Sequence, residues 1–107
     1  MAQHFQIDEL VGEQKKRDKS YVEFLRVPAM SAGVYVLAKG AVDRQKPHRE
    51  DEMYYVVRGR GRMQIGSEHS VVQAGSVIFV KAELEHRFYD IDEDLEVLVF
   101  FAPAEQE

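Results

Sequence analysis

Two textures divide the chain. Residues 5–18, FQIDELVGEQKKRD, set Phe5, Ile7, Leu10 and Val11 near one helical face and follow them with charge. That spacing predicts a short amphipathic helix or an arm, interrupted at Gly12. From Tyr21 onward the texture changes. YVEFLRVP (21–28), AGVYVLAKG (32–40), EMYYVVRG (52–59), RMQIG (62–66), SVVQAG (70–75), SVIFV (76–80), HRFYD (86–90) and LEVLVFFAP (95–103) are rich in β-branched and aromatic residues. Such residues fit a pleated surface. GSEH, QAG, AELE and DIDED separate these segments as turn signals, and RGRGR (58–62) reads as glycines of a tight hairpin with solvated arginines on its rim. Short strands recurring at about eight to twelve residues predict an all-β sandwich or barrel. Residues 1–20 then form the N-terminal arm or helix and 21–107 the β domain.

In LEVLVFF, Val97, Val99 and Phe101 alternate with Leu98 and Phe100, so both faces of that strand are apolar. A strand with one face in water does not read this way. Its second face is covered by the N-terminal arm or by another subunit, and a homodimer is the expectation. With 107 residues, 45% of them hydrophobic, the chain can bury one core. No cysteine is present, which removes thiol nucleophiles and disulfides. A net charge of −5 does not suit nucleic acid or an anionic membrane. No secretory leader and no long apolar span are visible, so the expected location is cytoplasmic.

The candidate chemistry lies in QKPHREDEMYYVVRGRGRM (45–63). If this stretch is extended, His48, Glu52, Tyr54 and Val56 share one face. A glutamate facing a core is costly unless it is paired or ligates a metal. His86 opens a strand much later in the chain. Two imidazoles and a carboxylate are a donor set for divalent Fe, Mn, Ni, Co or Zn. Each histidine is otherwise a turn or strand-end residue open to water.

The spacing of this stretch resembles the cupin superfamily. Gly40, five residues, Lys46-Pro47-His48, three residues, Glu52, six residues and Gly59 follow its first motif, with Lys46 where a histidine is expected. Gly75, Lys81, Glu83, His86 and Asp90 fall on the positions of its second motif, of which the Gly and the His are kept. The resemblance runs over about residues 21–102. It implies a double-stranded β-helix, or jelly-roll barrel, in which His48, Glu52 and His86 hold one divalent transition metal. A fourth donor is open: water, or Gln45 if Pro47 breaks the alternation that otherwise turns Gln45 and Asp43 away.

Lys46, Val56 and Phe88 are expected to line the pocket, with Tyr35, Met63 and Ile65 joining them if register permits. Tyr54 is the candidate proton donor, and Asp90 is either a partner of His86 or the start of the acidic turn. The implied function is a small-molecule enzyme, an oxygenase or a Lewis-acid isomerase-like catalyst acting on an oxygen-chelating substrate. The alternative is a non-catalytic ligand-binding barrel with a structural or vestigial metal site.

Overall fold

The computed structural model describes residues 3–106; positions 1, 2 and 107 of the expected arm and barrel lie outside the described residues. One helix, α1 (Ile7–Lys15), precedes six strands: β1 (Tyr21–Val27), β2 (Met30–Leu37), β3 (Asp51–Ile65), β4 (Glu68–Gln73), β5 (Val77–Val80) and β6 (His86–Ala102). They form one antiparallel sheet in the order β1-β2-β6-β3-β4, with β5 on β3, wrapped into a jelly-roll barrel. No helix among the described residues is long and apolar enough to cross a membrane.

The helix is short, and its charges suit its dipole: Asp8 and Glu9 in the first turn, Lys15 in the last. It buries Val11 and Gln14, and the Gln14 Nε2 donates to the Lys19 carbonyl at 2.8 Å, tying the helix to the chain that leads into β1. Phe5 packs edge-on against Phe24 of β1 with ring centroids 4.8 Å apart.

The strand count differs from the sequence reading in two places. Segments 52–59 and 62–66 are one strand, β3, and segments 86–90 and 95–103 are one strand, β6. RGRGR is therefore the bent middle of a long strand and not a hairpin tip. DIDED likewise lies within β6 and is not a turn. The reason is that the two charged runs face each other: Arg60 pairs with Glu93 and Arg58 with Glu96 across the β3–β6 ladder. The Arg58 guanidinium binds both the Glu96 and the Asp8 carboxylates. Register slips between Val56 and Arg58, Arg58 and Arg60, and Arg60 and Arg62 let the strand turn the corner of the barrel. Gly59 makes this possible. Its φ is +98°, and a Cβ there would lie 2.1 Å from the Asp94 carbonyl oxygen.

Alternation then sets the core. Glu52, Tyr54 and Val56 of β3 point inward, as do Val97, Val99 and Phe101 of β6. The cluster includes Phe88, Met63, Leu95, Leu37 and Val72. On the outer face, β3 pairs Met53 with Phe79 and Phe100, and Tyr55 with Val77 and Leu98. These six apolar side chains form two rows over three strands. Met53, Tyr55, Val77 and Phe79 are exposed, and Leu98 and Phe100 are half-buried.

Candidate metal centre

Three distant parts of the chain meet inside the barrel near the start of β3. Glu52 is the second residue of that strand and points inward, 2% exposed. His86 opens β6 and turns toward it, 7% exposed. His48 comes from the irregular segment between β2 and β3, which the turn before β6 fastens down: the Glu83 N–H donates to the His48 carbonyl at 2.7 Å. One ligand atom from each of His48, Glu52 and His86 lies within 4.8 Å of the others.

Hydrogen bonds fix which ring nitrogen faces the centre. The His86 Nδ1 is 3.0 Å from the Leu84 carbonyl. A carbonyl only accepts, so Nδ1 carries the hydrogen and Nε2 presents its lone pair. That Nε2 is 3.2 Å from Glu52 Oε1. The His48 Nε2 is 3.9 Å from the same oxygen, and its Nδ1 lies 3.0 Å from Glu105 Oε2. With both rings neutral and hydrogen on each Nδ1, the centre is a ring of acceptors. Neither oxygen of Glu52 receives a hydrogen bond among the described residues. A buried carboxylate without donors costs several kcal/mol unless something positive meets it. A divalent cation fits that need, and so do the two imidazole lone pairs.

A proton is the cation's competitor. Burial opposes the imidazolium at His86, but Glu52 and the Leu84 carbonyl outweigh it and hold the ring above its usual titration range. His48 is also raised, first by its bond to Glu105 and then, against burial, by the Glu52 and Glu50 charges.

Gln45 stands on the same side as His48, not opposite. Segment 41–48 is not a strand, so alternation does not apply there. Asp43 turns Gln45: its Oδ2 accepts from Gln45 Nε2 at 2.8 Å, which leaves Oε1 facing the His48 Nε2 at 3.4 Å. Asp43 is itself held by the Tyr35 hydroxyl at 2.6 Å and the Phe88 N–H at 2.9 Å. No feature of the sequence singles out this clamp.

Tyr54 is fully buried. Its hydroxyl donates to Gln45 Oε1 at 3.0 Å and lies 3.1 Å from His86 Nε2. Burial and the Glu52 charge push the phenol well above its ordinary range, so it stays protonated. Val56 and Phe88 are 0% exposed and belong to the core, Phe88 edge-on to the Tyr54 ring, and neither lines the two cavities at the centre. Met63 is core as well. Lys46 is exposed and lines neither of the cavities at the centre. Asp90 is exposed and away from His86's contacts.

Two cavities flank the cluster. One, of about 190 Å³, is polar and reaches His86 past Gln45, Gln64, Glu85 and Arg87. The other, of about 140 Å³, lies beside His48 under Tyr21, Tyr35, Phe101 and Glu105. Glu105 has no signal in the sequence; it follows Pro103 in a polar tail and reaches the centre only through the fold.

The model of the Cupin domain family matches residues 33–101. An uncharacterised protein of Streptomyces coelicolor is 48% identical over 101 residues, 94% of this chain and 96% of that protein. Among solved structures, a Thermus thermophilus protein superposes with a TM-score of 0.74 at 20% identity, over 94% of this chain and 97% of that one. An RmlC-like cupin from Shewanella frigidimarina gives a TM-score of 0.72 at 23% identity, over 78% and 75% of the two chains. At such identities the superpositions speak for the fold.

Proposed function

The chain belongs to the Cupin domain family, and from that premise we propose that it binds one divalent transition metal and acts on a small molecule with adjacent oxygen donors. The observation that carries this reading is the buried Glu52 carboxylate without a donor, with the Nε2 atoms of two imidazoles 3.2 and 3.9 Å from one of its oxygens. His48, Glu52 and His86 would hold the metal, with Gln45 Oε1 as a fourth donor in place of the histidine that Lys46 replaces. Bound there, the metal supplies a Lewis acid, or a redox centre if it is Fe or Mn, which covers both isomerase-like and oxygenase chemistry.

The chain's own residues supply the rest. Asp43 orients Gln45. Tyr54 keeps its proton and donates it as a hydrogen bond at the edge of the centre, the position of a proton donor. The polar cavity beside His86, with Gln64 and Arg87 at its wall, suits a small polar ligand. One observation favours a non-catalytic barrel instead: Lys46 is exposed, so the position of the missing histidine brings no replacement donor. A homodimer belongs to the same reading, supported by the exposed rows around Met53, Tyr55, Val77 and Phe79.

The test is metal analysis of protein purified without chelators, against His48→Ala/His86→Ala. Near-stoichiometric metal in the wild type and its loss in the double variant are expected; equal, near-zero content in both refutes the reading. Oxygen uptake with Fe or Mn bound and candidate chelating substrates added separates the oxygenase from the Lewis acid. Light scattering tests the dimer, with a clean monomer at micromolar concentration as the refuting result.

A further inference from the structure

We propose that Glu105 is a positioning residue: its carboxylate fixes the tautomer of His48 and thereby keeps Nε2 free as a ligand atom. The effect on metal affinity rests on the metal-centre reading; the effect on the tautomer does not.

The His48 ring has two competing acceptors. Glu105 Oε2 lies 3.0 Å from Nδ1. Gln45 Oε1 lies 3.4 Å from Nε2. A neutral imidazole has one hydrogen and can satisfy only one of them. The bond to the carboxylate is shorter and charge-assisted, which makes it the stronger of the two. The hydrogen therefore sits on Nδ1. Without Glu105 the amide of Gln45 becomes the better partner, the hydrogen moves to Nε2, and the nitrogen that faces Glu52 ceases to be a donor atom for a metal. His86 solves the same problem with a backbone carbonyl at 3.0 Å. His48 has no such carbonyl at its Nδ1 among the hydrogen bonds of the described residues, and an acid from a distant part of the chain takes that place.

Glu105 is held for this. Its N–H donates to Ser31 Oγ at 2.9 Å, and its carbonyl accepts from Arg26 Nη2 at 2.6 Å. On either side, the Ala104 N–H reaches the Pro28 carbonyl at 3.3 Å, and the Gln106 N–H reaches the buried Glu50 at 3.2 Å. Ala104 is 6% exposed and Ser31 0%. Residues 104–106 thus form a strap whose own backbone groups are held by Arg26, Pro28, Ser31 and Glu50, so a change of the Glu105 side chain leaves its fastening in place.

The experiment compares wild type, Glu105→Gln and Glu105→Ala. Long-range proton–nitrogen correlation spectra of the metal-free, nitrogen-15-labelled proteins, taken where the imidazole is neutral, report the His48 tautomer. The wild type should show hydrogen on Nδ1, and Glu105→Ala should show it on Nε2. Glu105→Gln keeps an oxygen acceptor without the charge, should fall between, and serves if the alanine variant unfolds. Cobalt(II) affinity, measured by competition with a chromogenic chelator, should drop about 10- to 100-fold in Glu105→Ala. An unchanged tautomer, or an affinity within twofold of wild type, overturns the proposal. If the wild type takes up no cobalt, the metal-centre reading fails, and the tautomer alone decides whether Glu105 positions His48.

Discussion

Replacing Glu52 by glutamine should separate stability from metal binding. In the metal-free protein, at a pH above the raised titration of both imidazoles, three acceptors converge: the Glu52 carboxylate and the Nε2 atoms of His48 and His86, 3.9 and 3.2 Å from it. A glutamine of the same shape brings an N–H₂ group that can donate to His86 Nε2. Leaving a buried polar group unsatisfied costs about 1–3 kcal/mol, and more for a charged one. Glu52→Gln should therefore raise the metal-free unfolding free energy by about 1–3 kcal/mol. For a domain of this size, each kcal/mol moves the melting temperature by about 4–8 °C. Metal reverses the order. At a free concentration of 100 times Kd the wild type gains about 2.7 kcal/mol, whereas the variant has lost its anionic ligand and gains little. Urea unfolding with and without cobalt(II) reads all four states. A variant that is less stable than wild type when metal-free, or that gains as much from cobalt, refutes the reasoning.

The raised imidazoles fix a pH dependence. Because His48 and His86 titrate above their unfolded value of about 6.5, their protonation stabilises the metal-free fold fully below that pH. The contribution is lost as pH rises through the folded values; denaturant midpoints across this window should fall, and more steeply in wild type than in His86→Ala. Bound metal should be released as pH falls through the same raised values, sooner than for ordinary histidines, which chelator competition across pH will show. Gly59→Ala meets both a positive φ and the Asp94 carbonyl, and should lower the unfolding free energy by about 3 kcal/mol or more; a change under about 1 kcal/mol in urea unfolding would contradict the bulge. Lys46→Ala removes an exposed side chain and should leave stability within about 0.5 kcal/mol and cobalt affinity unchanged.

What could be read in the sequence follows from range. His48, Glu52 and His86 were legible together from their spacing in the two motifs that resemble the cupin family; alternation along β3 accounts for Glu52 facing inward, but His48 lies in the irregular segment before that strand. The two long strands were not legible, because a glycine or an acidic run in a single sequence normally marks a turn. Here Arg58 and Arg60 of one strand lie opposite Glu96 and Glu93 of the other, a pairing visible only once the strands are aligned. Gln45 stayed open in the sequence, because alternation turns it away and only a break at Pro47 brings it back; the segment is not extended, and Gln45 faces His48. Glu105 was missed for a plainer reason: nothing local distinguishes an acid in a polar tail, and its partner His48 lies more than half the chain away.

The long ladder between β3 and β6 has a mechanical side. Its pairs run from Asp51–Ala102 to Ile65–His86, so Glu52 and His86 sit near opposite ends of it and meet only because the ribbon curls back on itself. The distance between the acid and the imidazole is therefore set by the irregular middle of the ladder, where the register slips from Val56 to Arg62, so a change there should be felt at the centre without touching any of its side chains.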